Sequence, residues 1–407
     1  MFSSLKDPKY GWRSPVILLM LMAVAMQLSF ASWWNLVNNF AVNTIGFTGK
    51  EIGIQQSIRE IPGLLAFTAV FALLLFKEQT FAYISLLLLG IGVSITGYFP
   101  YEIGFYLTTL LMSFGFHYYE TMQQSLSLQW LPKKSAPATM GKILSVAAAA
   151  QLMAYGAIML TWQTLELSFQ TVFLIAGIST ILLAIAIYAV FPRFEGGVAQ
   201  HKKLILRKRY WLYYMLTFMG GARRQIFTVF AGFLMVERFG YAVHEVAGLF
   251  LINGLINMFI AHKIGALIGR FGERTTLTFE YIGLIGIFLL YAFVSNPYVA
   301  GALYVIDHAF FAMAIAMKTY FQKIADPADI APTAGVAFTI NHIAAVFIPV
   351  VFGLIWLYSP EAVFIAGAGM AAVSLCLSRL IPRDPSPGNE LAWGSADKSF
   401  VQPVAAE

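Results

Sequence analysis

The chain has 407 residues, of which 59% are hydrophobic, 15% aromatic and only 11% charged. A water-soluble domain carries about 25% charged residues to keep its surface hydrated, so this composition excludes an ordinary soluble domain and points to helices facing lipid. The formal charge of +6 does not indicate nucleic acid, because the cations sit in short segments between apolar runs, the pattern of loops facing an anionic leaflet.

A helix needs about 20 residues to cross the hydrocarbon layer, and lipid offers no partner for a free backbone N–H or C=O. The polar N-terminus leads into an apolar run too long for a secretory signal. Runs bounded by Gly, Pro or charge predict spans at 15–39, 52–76, 80–99, 103–129, 139–162 and 167–190. A second series follows at 211–236, 246–268, 275–294, 298–322, 332–357 and 361–380. The expectation is an all-α polytopic membrane protein with twelve transmembrane helices in two pseudo-symmetric six-helix bundles. The bundles take residues 1–191 and 210–381, joined by a basic linker at 192–209 and followed by a polar cytoplasmic tail at 382–407.

Alternating loops place Lys6, Lys9, Arg13, Lys77, Lys133, Lys134, Lys142, Arg193, Lys202, Lys203, Arg207, Lys208 and Arg209 on one side. Arg270, Arg274, Lys323, Arg379 and Arg383 join them, leaving little beyond Lys50 and Arg238 opposite. Cationic loops are retained inside, so both termini are expected in the cytoplasm and the protein in the plasma (inner) membrane.

Polar groups inside the spans mark a pathway, because an apolar bundle has no use for them. On the first helix these are Gln27, Trp34 and Asn38; on the second, Arg59 and Glu60, at an outer gate or snorkelling to the surface. The fourth carries His117 and Glu120 on one face. On the seventh, Arg223 and Arg224 stand near mid-membrane, where each arginine costs about 2.5–3.5 kcal/mol to insert. They require an aqueous cavity, a carboxylate or a bound anion. One is expected to reach the cleft, with Phe227 continuing the Arg224 face, and the other to pair with a neighbouring helix.

Asn253 and Asn257 follow on the eighth helix, and Glu280 on the ninth reads as a headgroup-level residue. The tenth carries Asp307 and His308, and the spacing of Asp307, Phe311, Ala314 and Lys318 predicts one helical stripe. Asn341 and His342 complete the set on the eleventh. Glu120 and Asp307 are the expected counter-charges of the arginines. With His117, His308 and His342, whose imidazoles change charge near neutral pH, they are also the expected proton carriers; a static inter-helix ion pair is the alternative reading.

Two segments repeat with an offset of about 194 residues: Lys50–Gly53 matches His244–Ala247, and Ala136–Gly141 matches Ile330–Gly335. Two such halves with a basic linker resemble the major facilitator superfamily of secondary transporters. That family's loop between helices 8 and 9 reads roughly Gly-x-x-x-Asp-Arg-x-Gly-Arg-Arg. Here Gly265, Arg270, Gly272 and Arg274 match, while Gly269 replaces the aspartate and Glu273 a basic residue. The copy near 71–80 keeps only Lys77. The resemblance implies that this loop packs the cytoplasmic helix ends and balances inward and outward states.

The expected function is secondary transport of a small organic anion or zwitterion by alternating access, with proton symport a further expectation. A drug/proton antiporter of the same fold, and a transporter-like sensor that does not transport, are the alternatives. The Gly-Pro signature of many proton-driven exporters is missing from Gln151–Gly156. No enzyme, cofactor or metal site is expected: there is no phosphate-binding Gly-rich Lys-Ser/Thr loop or close His pair, and Cys376 is the lone cysteine.

Overall fold

A computed structural model of the chain describes residues 11–131, 136–194, 206–326 and 329–392. Lys6, Lys9, Lys133, Lys134, Lys202 and Lys203, with parts of the linker and tail, lie outside the described residues. Twelve helical spans follow one another among those described. The first, Pro15–Asn39, runs on as a wide π turn, Phe40–Ile45. Ser14 accepts from the Ile17 N–H at 3.3 Å, and Pro15 takes the first turn, where no N–H is needed. The second, Gly49–Leu64, breaks at Leu65 just past Pro62 and resumes as Ala66–Thr68 and Ala69–Leu73.

The third to sixth helices are Glu78–Thr96, Glu102–Trp130, Ala136–Thr161 and Phe169–Val190. The seventh is composite: Trp211–Gln225, a π turn Ile226–Ala231, then Gly232–Glu237. Val243–Phe293 holds the eighth and ninth, separated at Gly272, whose φ of 77° is a left-handed conformation that suits glycine. The tenth joins Pro297–Phe311 and Ile315–Ile324 through a tight 3-10 turn, Ala312–Ala314. Ile330–Trp356 and Pro360–Ser378 complete the series.

Eight of these stretches are long and apolar enough to cross a membrane by length and composition, from Pro15–Ile45 to Pro360–Ser378. The eighth helix falls outside that group as a shorter apolar stretch, Val243–Phe259, and so do the second, fourth and seventh, which carry a polar load: Gln55, Gln56, Arg59 and Glu60; His117, Glu120 and Gln124; Arg223, Arg224 and Gln225.

The chain divides into two compact units, Met1–His201 with Gly232–Gly254, and Lys202–Ala231 with Leu255–Glu407. In the first, the third helix packs on the fourth and sixth, and the first on the fifth and sixth. Gly115 and Gly177 permit close approach to the third helix, since a Cβ on either would lie 2.3 Å from its backbone, at the Leu89 nitrogen and the Gly90 oxygen. Ser29 donates to Thr180 at 2.7 Å, joining the first helix to the sixth. Gly232–Gly254 is held by Asn39, which donates to the Tyr241 carbonyl at 2.7 Å, and by the Tyr155 and Phe250 rings.

In the second unit the seventh helix packs against the eleventh and twelfth. Its entry is pinned by Asp329, whose side chain is 1% exposed. Asp329 accepts from Arg207, with Nη2 at 2.8 Å, and from the Tyr210 hydroxyl at 3.0 Å. Arg209 pairs with Asp326. The Arg207 guanidinium holds the Asp329 carboxyl below its ordinary 3.8. A carboxyl depressed on folding stabilises above its ordinary value and loses that contribution as pH falls through the depressed one. Thermal melting in detergent is therefore expected to drop below about pH 4. Asp329→Asn is expected to melt lower at pH 7 and to show a smaller acid-induced loss.

Candidate functional site

Arg223 lies 12 residues beyond Trp211, roughly 18 Å along the axis at 1.5 Å per residue. Its Nη2 donates to Glu280 Oε1 at 3.0 Å, and its Cζ sits 4.7 Å from the centre of the Tyr281 ring. Both ends of the pair are buried, at 7% and 1% exposed. This corrects the headgroup-level reading of Glu280. The ninth helix starts after Gly272, which places Glu280 eight residues, or about 12 Å, inside.

Asp307 on the tenth helix is 0% exposed, and Arg223 and Glu280 are its electrostatic neighbours. Both Asp307 oxygens, Glu280 Oε2 and Arg223 Nη1 are buried without a hydrogen-bond partner among the described residues. Two carboxyls therefore surround one guanidinium. The counter-charge that Arg223 contacts directly is Glu280, not Glu120 or Asp307 as the sequence suggests.

Arg224 is half-buried, and its Nη2 lies 3.4 Å from Asn341 Oδ1 on the eleventh helix. Gly221 lets the two helices close up there, since a Cβ on it would stand 2.4 Å from the same oxygen. One turn on, the wider π geometry begins and Phe227 stacks on Tyr304 at 4.9 Å, with His308 edge-on at 5.3 Å. His342 Nδ1 lies 2.9 Å from the Phe338 carbonyl. Asn257 is half-buried. The Phe311 side chain and the surroundings of Gly265 lie outside the described residues.

The stripe expected from Asp307 to Lys318 is interrupted by the 3-10 turn Ala312–Ala314. The turn at Ala312–Ala314 advances about three residues per turn instead of 3.6, which rotates everything beyond it. Asp307 is consequently buried and Lys318 exposed.

In the first unit, Arg59 and Glu60 stand ten and eleven residues beyond Gly49, about 15 Å deep, and are 6% and 4% exposed. Neither snorkels. Arg59 forms an ion pair with Glu60, donates to Gln56 at 2.8 Å and lies 4.9 Å over the Trp34 ring. Stacking continues from Trp34 to Phe30 at 6.0 Å and on to Phe116 at 4.1 Å. His117 Nδ1 is 3.7 Å from a Glu120 oxygen, and the Glu120 side chain is 44% exposed. Asn38 and Asn253 are buried, Gln27 half-buried. Both Asn253 amide atoms and Gln27 Oε1 are unpartnered among the described residues.

In the loop that carries the sequence motif, Arg270 is exposed and Arg274 half-buried. Glu273, 1% exposed, pairs with Lys323 at 2.8 Å, so the acid that replaces a basic residue has a cation from the tenth helix. Sequence reasoning missed Tyr281, Tyr304, Phe30 and Phe116, which are ordinary aromatics in apolar runs. Glu280 carried a signal, as a lone acid inside a predicted span.

The sequence profile of the Major Facilitator Superfamily matches residues 16–349. No curated protein matches the chain in sequence. Among solved structures it is similar to the nucleoside transporter NupG in a mutant form, with 16% identity over 90% of this chain and 99% of that one and a TM-score of 0.75. It is also similar to a bacterial homolog of the human lysosomal transporter Spinster, inward-facing and unoccupied. There the identity is 13% over 89% of this chain and 95% of that one, with a TM-score of 0.69.

Removing one partner of a buried ion pair leaves an uncompensated charge and costs about 3–5 kcal/mol. Arg223→Gln is accordingly expected to destabilise the protein strongly. Combining it with Glu280→Gln is expected to recover at least half of the loss, read as the melting temperature in one detergent.

Proposed function

The chain belongs to the Major Facilitator Superfamily and has the fold of its secondary transporters; on that footing we propose that it moves a small organic anion or zwitterion by alternating access, coupled to protons. The halves at 1–191 and 210–381 are the moving parts in this reading, and the termini stay in the cytoplasm. The observation that carries it is the count of charges around Arg223. One guanidinium faces Glu280 and Asp307, and with both carboxyls ionised the group holds one net negative charge out of water. Such a charge is costly, and the usual escape is neutralisation. One proton shared by the two carboxyls balances the group.

Arg224 is the neighbouring residue on the same helix, with Asn341 as an acceptor beside it and Phe227, Tyr304 and His308 along the wall. A planar guanidinium suits a carboxylate or phosphate, and a ring or alkyl portion fits the aromatics. An anion held at Arg224 and a proton held at Glu280 and Asp307 each favour the other electrostatically, and that coupling is reciprocal. A monovalent anion carried with one proton crosses without net charge, so a pH gradient alone drives it.

The test uses purified protein in sealed vesicles, a library of labelled carboxylates, zwitterions and uridine, and an imposed pH gradient. The parent protein is expected to accumulate an anionic or zwitterionic compound on the acid-outside gradient. Asp307→Asn should abolish accumulation while leaving counterflow exchange, because the buried Arg223–Glu280 pair keeps its charges balanced. Arg224→Gln should weaken binding about 10–100-fold, the loss of one charge-assisted bond. Accumulation surviving in the Asp307→Asn variant rules out this proton carrier. Tight uridine binding indifferent to Arg224→Gln rules out the anion and favours a neutral cargo of the kind NupG's name states. Absence of counterflow with every compound favours a sensor.

A further inference from the structure

A second charged site stands in the same unit, away from Arg223. Where the ninth helix begins and the twelfth ends, a cavity of about 300 Å³ is lined by Phe271, Gly272, Arg274, Thr275, Arg379 and Arg383. Three of its six lining residues are arginines. None of the three is in ion-pair contact with a carboxylate among the described residues. Of the two acids adjacent in sequence to these arginines, Glu273 is committed to Lys323, and Asp384, next to Arg383, forms no ion pair with any of the three among the described residues. Arg379 reaches only Thr278 Oγ1, at 3.5 Å. Arg274 Nε is buried with no partner among the described residues, and the charges of Arg379 and Arg383 act on Arg274.

Like charges gathered around a void repel one another, and folding holds them together at a cost. An anion in the void reverses the sign of that energy. Forked guanidinium donors suit phosphate oxygens in particular. The volume corresponds to about ten waters at roughly 30 Å³ each, room for a headgroup. Phe271, at the rim, is 50% exposed, an apolar surface of the kind that glycerol and acyl chains cover. The site also sits on the cationic side of the chain, where anionic lipids concentrate and basic pockets between helices take their headgroups.

We propose that this cavity binds the phosphate of an anionic lipid headgroup and thereby ties the loop between the eighth and ninth helices to the end of the twelfth. Nothing in this depends on the transported cargo, so it stands or falls separately from the reading of Arg223 and Arg224.

The full chain in a neutral detergent, titrated with short-chain phosphatidylglycerol, phosphatidylcholine and inorganic phosphate, provides the test, with native mass spectrometry and melting temperature as readouts. Phosphatidylglycerol is expected to bind and to raise the melting temperature; Arg274→Gln with Arg379→Gln should weaken it at least tenfold, and Lys77→Gln less than twofold. Thr275→Glu, an exposed position that places a negative charge on the lining, should abolish binding without a burial penalty. It keeps the question answerable if the arginine pair does not fold. Failure of millimolar phosphate to displace the lipid identifies the membrane as the source; ready displacement identifies a phosphate site fed from solution. Equal affinity in Thr275→Glu, or phosphatidylcholine bound as tightly as phosphatidylglycerol, overturns the proposal.

Discussion

A charge removed from water has to be matched within a few ångströms, and in a membrane nothing but the protein itself can do it. That constraint organises the deep polar groups of this chain. Each guanidinium costs about 2.5–3.5 kcal/mol to place at the centre of a span, and the spans that carry them are among those too polar to qualify as membrane helices by composition alone. They enter lipid as members of pairs. Arg223 is matched by Glu280 on another helix, Arg59 by Glu60 beside it, and both pairs are further screened by an aromatic face, Tyr281 or Trp34. A buried ion pair is weak evidence of stability. Its stronger effect is on register: the seventh helix has to stand at the depth where Arg223 meets Glu280.

The same physics explains how much the sequence revealed. Lipid fixes the length and composition of a span, so twelve helices could be read from apolar runs; the charge bias of the loops carries only the expectation of orientation. Depth was harder, because it is counted from a helix start. Glu280 was read too shallow: Gly272 opens the ninth helix earlier than the apolar run at 275–294 begins. Partner choice was harder still. Arg223 and Glu280 are 57 positions apart, and the packing that joins them has no periodic signature.

Breaks within helices were invisible for a further reason. The π turns at Phe40–Ile45 and Ile226–Ala231 and the 3-10 turn at Ala312–Ala314 contain no proline or glycine. They arise from how neighbours pack, and each changes which face later residues present. The turn at Ala312–Ala314 thus interrupts the spacing from Asp307 to Lys318, while on the seventh helix Arg224 lies by Asn341 of the eleventh and Phe227 stacks on Tyr304 of the tenth.

The two deep pairs differ in a way that separates their uses. Arg59 and Glu60 are consecutive on one helix, so their attraction does not itself join helices, and the count of charges is even. Arg223 and Glu280 bridge the seventh and ninth helices, and Asp307 on the tenth makes the count uneven. A proton added to or lost from that second group alters the force holding three helices together, whereas the first pair has no spare carboxyl to titrate. On the proposed reading, coupling belongs to the second unit because protonation there changes packing. The stacked rings of Trp34, Phe30 and Phe116 in the first unit then offer an apolar surface beside the Arg59–Glu60 pair, with His117 edge-on to Phe116 at its border.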